Sequence, residues 1–131
     1  MRVPIVTAVA GGHGVPLDDE DWEITGFRDV RCVEGADPSA RFFLTVVDGP
    51  SLEAEHIVDG DMLLCRVTHS YEIGRLGIWQ TPTGRTAKYA FYEDGFVVLH
   101  NDNGWRQVWQ ADDLRLLGIV ERVERDHQPK W

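Results

Sequence analysis

A mostly β fold is what this sequence predicts, on three observations. Short apolar runs rich in Val, Ile, Phe and Trp recur along the chain. Gly, Pro, Asn and Asp punctuate them, and no long stretch repeats at the 3.6-residue helical period. The 131 residues fit one domain. That length buries a core without disulfides or metals to staple it. Five Trp, five Phe and three Tyr supply bulky core material.

The expected strands, in order, are Val3–Val9, Trp22–Phe27, Phe42–Val47, Asp61–Val67, Leu76–Gln80, Arg85–Tyr92, Phe96–Leu99, Trp105–Trp109 and Leu114–Glu124. Turns fall at Thr81-Pro82-Thr83-Gly84, Glu93-Asp94-Gly95 and Asn101-Asp102-Asn103-Gly104. The first two read as hairpins in which glycine supplies a positive φ. Leu52–His56 is the one helical stretch expected, about a turn long. Gly11–Asp21 and Val33–Ala40 are loop-like, and nothing repeats internally. The division expected is an N-terminal segment, 1–21, and a β-rich body, 22–131.

Composition excludes several function classes. The formal charge is -9 with no basic cluster, so the chain repels phosphate and is a poor direct binder of DNA. The run Asp18-Asp19-Glu20-Asp21 reads as a solvated loop. The five His are scattered and Cys32 and Cys65 form no CxxC pair, so neither a metal nor another cofactor is expected. Two reduced thiols fit a cytoplasmic protein. No stretch is long enough to span a membrane. The start, Met1 to Ala10, mimics a signal peptide but is too short and carries Pro4 and Thr7.

Three features bear on chemistry. Ser51, in Asp48-Gly49-Pro50-Ser51-Leu52, follows an apolar strand and precedes the short helical turn. It reads either as an N-cap or as a nucleophile whose neighbouring backbone N–H groups form an oxyanion hole. Ala54 at the third helical position leaves a capping box incomplete. Lys88 is one of two lysines among eleven arginines, and it sits mid-strand. It reads either as a solvent-facing charge or as a base, because a desolvated lysine loses its proton near neutral pH and an arginine does not. Thr86 and Ala90, on its own face, are small. Third, Ala8-Val9-Ala10-Gly11-Gly12 reads as a flexible strand exit or as a small-residue cleavage segment.

Together these resemble the catalytic domain of the LexA-like self-cleaving repressors and the UmuD mutagenesis proteins, the S24 peptidase family. The family carries a Gly-x-Ser-Met element and then an Ile-x-Asp-Gly-Asp strand start. Here these read Gly49-Pro50-Ser51-Leu52 and Ile57-Val58-Asp59-Gly60-Asp61. Lys88, in Thr86-Ala87-Lys88-Tyr89, follows Ser51 by 37 positions, as in the family. Val97-Val98-Leu99-His100-Asn101-Asp102-Asn103 resembles its strand and Asn-bearing turn. Leu117 to Val123 resembles its closing strand, and Pro4 to Gly11 its scissile Ala-Gly segment. Pro50 and Leu52 depart from the Met common around the serine, and Gly11-Gly12-His13-Gly14 is richer in glycine than usual.

The resemblance implies a LexA/signal-peptidase-like fold of coiled β-sheets with one short helix after the nucleophile. It implies Ser51 as nucleophile, Lys88 as general base, and the N–H groups of Ser51 and Leu52 as oxyanion donors. The chain's own loop is the implied substrate, cut between Ala10 and Gly11. Further implied are a homodimer, a RecA–single-stranded-DNA filament as inducer, and a place in the response to DNA damage. The chain would then be the excised C-terminal domain of a repressor, or a stand-alone UmuD-like protein. A signal-peptidase relative is disfavoured by the missing membrane helix. The rival from another class is a silent dimerisation or sensor module, with Ser51 a cap and Lys88 a surface charge.

Overall fold

A computed structural model describes residues 1–9, 23–47, 49, 52, 55–102 and 104–124, excepting the side chains of 7–9. Among them are nine strands: β1 Arg2–Val9, β2 Ile24–Asp29, β3 Phe42–Val47, β4 Met62–Val67, β5 Gly77–Thr81, β6 Gly84–Glu93, β7 Phe96–His100, β8 Arg106–Gln110 and β9 Arg115–Glu124. Each expected strand is present within one or two residues, and Trp22 lies outside the described residues. A 3-10 turn, Ala111–Asp113, joins β8 to β9.

The strands form one mixed sheet in the order β2-β1-β3-β4-β9-β5-β6-β7-β8. Among the described strands only β1 and β3 pair in parallel. The long strands β6 and β9 each serve two neighbours in succession. β9 pairs with β5 through Arg115–Ile119 and with β4 through Gly118–Glu124. β6 gives its first half to β5 and its second half to β7. Register breaks at Leu117 against β5 and at Glu121 against β4 bracket the stretch where β9 passes from one neighbour to the other and bends.

Both expected hairpins form, with two-residue loops. Glu93 pairs with Phe96 around Asp94 and Gly95, whose φ values of +52° and +83° are those of a type I′ turn. Thr81 pairs with Gly84 around Pro82 and Thr83. Its hydroxyl accepts the Thr83 N–H (3.1 Å) and donates to the Gly84 carbonyl (2.9 Å), so the side chain closes the loop.

Alternation along the strands splits the interior into three clusters. One, on the face of Phe43, Leu63 and Leu117, takes in Leu52 and Ile57 from the connection between β3 and β4. A second gathers Trp79, Ala90, Leu99 and Ile119. The third holds Val3, Leu44 and Leu64 on the opposite face at the β1 end. The N-terminal segment is thus tied into the sheet as far as Val9, with Val3 and Val6 buried. Residues 10–21, the rest of that segment, lie outside the described residues.

Candidate active site

The connection between β3 and β4 carries the serine element. Its described part is anchored by the Asp59-Gly60-Asp61 sequence. Asp59 accepts the Gly49 N–H on Oδ1 (2.8 Å), and Asp61 accepts the Val58 N–H on Oδ2 (3.0 Å). Gly60 takes a φ of +91°, which a side chain would resist, and donates its N–H to the Val47 carbonyl. Val47 in turn donates to the Asp61 carbonyl. The two carboxylates therefore fix the exit of β3 against the entry of β4.

Past the serine, Leu52 is buried in the first cluster. Its carbonyl accepts the N–H groups of Glu55 (3.0 Å) and Ile57 (3.2 Å). The second bond spans five residues around His56, at φ +62°, the pattern that ends a helix with a left-handed residue. Of the helical stretch expected over Leu52–His56, Glu53 and Ala54 lie outside the described residues, and at His56 the chain reverses. Ser51, with Pro50, Glu53 and Ala54, lies outside the described residues, as do Ala10 and Gly11.

Lys88 sits on β6 opposite Gly77 of β5 and is only 5% exposed. Its backbone is held from both sides. The Trp79 indole donates to the Lys88 carbonyl (3.1 Å), and the Tyr71 hydroxyl accepts the Ala90 N–H (3.1 Å). Gly77 makes room for that indole, since a Cβ there would meet Trp79 Nε1 at 2.8 Å. Tyr71 also packs against Trp79 with its ring tilted, centroids 5.1 Å apart, and donates to the Arg75 carbonyl.

The Lys88 ammonium lies 4.9 Å from the Trp105 ring centroid. Burial pulls its pKa below the ordinary lysine value of 10.5, and the nearby Glu55 charge pushes partly the other way. Lys88 is therefore no solvent-facing strand lysine. Thr86 and Ala90 are small as expected, but the Trp105 ring lies over the amine. Glu55 accepts the Asp102 N–H on Oε1 (3.1 Å), which ties the serine-side turn to the turn between β7 and β8. In that second turn Asn101, itself buried, accepts the Trp105 N–H on its side-chain oxygen (3.1 Å).

Four residues not singled out in the sequence bear on Lys88 or its strand: Trp105 at its amine, Glu55 by its charge, Trp79 at its carbonyl and Tyr71 at the Ala90 N–H. Only Glu55 carried a signal, as an acid in the helical stretch expected after Ser51. The three aromatic residues look like ordinary core material in the sequence. Among the described residues no group of His, Cys, Asp and Glu is placed to hold a metal ion. No helix of the described chain is long and apolar enough to cross a membrane.

A buried lysine whose pKa is pulled below its ordinary value by desolvation is the kind of group that serves acid–base chemistry in a hydrolase. The family comparison agrees: residues 4–121 match the Peptidase S24-like family, and the chain belongs to it. Among individual proteins it is similar to the LexA repressor of Ligilactobacillus salivarius (strain UCC118). The two are 28% identical over 126 residues, covering 95% of this chain. The chain spans 59% of the length of that relative. It is an S24 domain of LexA type.

Proposed function

We propose that this chain is the self-cleaving peptidase domain of a LexA-type transcriptional repressor, cutting its own Ala10–Gly11 bond with a Ser51/Lys88 dyad. The observation that carries this reading is the parallel register of β1 and β3. Val9 lies opposite Val47, so the strand leading to Ala10 and the strand leading to Ser51 end side by side. β1 also approaches β6, the strand of Lys88. The first 21 residues then act as a substrate arm anchored by β1, and 22–131 as the peptidase body.

In the proposed reaction neutral Lys88 takes the Ser51 hydroxyl proton as Oγ attacks the Ala10 carbonyl carbon. The developing oxyanion accepts from the backbone N–H groups of Ser51 and Leu52. The bond to Gly11 breaks, and Lys88 delivers its proton to the departing Gly11 amine. Water then hydrolyses the Ala10 ester and regenerates Ser51. Because the substrate is tethered, proximity replaces a cleft tuned to foreign peptides.

As in the repressors it resembles, the domain would pair as a homodimer in the cytoplasm. A RecA–single-stranded-DNA filament formed after DNA damage would shift it toward the cleaving conformer.

Mass spectrometry of protein held at rising pH tests the reading. Fragments 1–10 and 11–131 are expected, forming faster as pH rises. An intact chain at every pH, with no labelling of Ser51 by a fluorophosphonate, would leave a silent module on the same fold.

A further inference from the structure

Two groups beside Lys88 work against its role as a base. The Trp105 ring presents its π system to the ammonium at 4.9 Å, an interaction available only to the cation. Glu55 brings a carboxylate whose charge bears on the same amine. Its Oε1 is engaged with the Asp102 N–H, while its Oε2 is buried with no hydrogen-bond partner among the described residues. Burying an oxygen in that state costs free energy unless a nearby positive charge offsets it. The backbone of each is held, that of Trp105 by the Asn101 side chain and that of Glu55 by the Leu52 carbonyl.

We propose that Trp105 and Glu55 form an inhibitory clamp on Lys88, an aromatic face over its ammonium and a carboxylate on the connection after β3 whose charge bears on it, and that together they restrain it from acting as a base. They are positioning residues, and the proposal rests on the Ser51/Lys88 reading given above. The clamp spans two separate connections, the one after β3 and the one after β7, joined by the Glu55–Asp102 bond.

Other titratable groups lie one step further out. Asp102 and Tyr71 bear on the neighbouring Tyr89, and His100 stacks on that ring at 5.8 Å. From β5 the residue opposite Lys88 is Gly77, which carries no charge. Glu55 is the charged group bearing on the amine itself.

The chain has two lysines, so its 13Cε-lysine NMR spectrum holds two signals, and K130R identifies that of Lys88. The titration is run on the full chain carrying S51A, which keeps it intact. Glu55→Gln and Trp105→Leu are each expected to lower the Lys88 midpoint by about half a pH unit, and together by about one. Trp105→Phe, which keeps a ring of smaller quadrupole effect, is expected to fall between, and it stands in if the Leu variant unfolds. Midpoints unchanged in Glu55→Gln and in both Trp105 variants would overturn the clamp. With Ser51 present, the self-cleavage profile should move to lower pH by the same amounts. Failure of the peptidase reading looks different. The NMR midpoints would still move, but no fragment would form at a pH where Lys88 is neutral.

Discussion

Lys88 shows how a single residue sets stability and chemistry against each other. Its amine is nearly excluded from water, and burial pulls its pKa below the ordinary 10.5. Between the folded and unfolded pKa values the unfolded chain binds more protons, so stability rises with pH through that window. Below it the full cost of burying the ammonium is present. Lys88→Met is therefore expected to stabilise the fold by about 1 kcal/mol at neutral pH. The gain should shrink as pH approaches 10.5, as read from urea unfolding midpoints at pH 7 and pH 10. The same substitution should abolish self-cleavage. Lys88→Arg should abolish it too, because a guanidinium does not release its proton. For the parent chain the cleavage rate should climb with pH and level off below the ordinary lysine value. A rate that is flat with pH would argue against Lys88 as the base.

At the level of elements, the bend of β9 is the sharpest constraint. Gly118 sits where β9 passes from β5 to β4, and a Cβ there would meet the Arg66 carbonyl oxygen at 2.8 Å and Phe43 Cε1 at 2.9 Å. One obstacle is backbone and the other is a fully packed ring, so neither yields cheaply. Gly118→Ala is expected to destabilise the domain by about 2 kcal/mol, measured by chemical denaturation. The I′ turn between β6 and β7 makes a gentler demand. Gly95, at φ +83°, has open space around it, so Gly95→Ala meets strain without a clash and should cost about 1 kcal/mol. A loss at Gly118 no larger than at Gly95 would show that β9 relaxes freely at its bend.

Over the whole molecule, the N-terminal strand is not an appendage. β1 lies between β2 and β3, pairing with both, and its Val3 and Val6 are buried at 2% and 3% exposure. Arg2 also covers the Phe27 ring, and the Met1 amine donates to the Val30 carbonyl at 2.8 Å. Cleavage after Ala10 would cut the covalent link while leaving every one of these contacts. Peptide 1–10 is therefore expected to stay bound to 11–131 in native mass spectrometry and to separate only in denaturant. Spontaneous release under native conditions would mean that β1 leaves the sheet when the bond is cut.

The amino-acid sequence alone determined the β class, the nine strands and both hairpins. Those features are local: apolar alternation, Asp-Gly and Pro-Thr loops, and breaks at glycine. It also supplied the motif spacing that joins Ser51, Asp59-Gly60-Asp61 and Lys88, since spacing along a chain needs no coordinates. The tertiary structure decided the rest. Strand order is invisible to periodicity, so the parallel pairing of β1 with β3 could not be read from the sequence. Nor could the double duty of β6 and β9, which follows from packing of the whole sheet. The burial of Lys88 and the meeting of Trp105 and the Glu55 charge at its amine join separate connections on one strand, and the hold of Trp79 on its carbonyl depends on the register of its hairpin. Charge state is a property of that shared environment rather than of the residue.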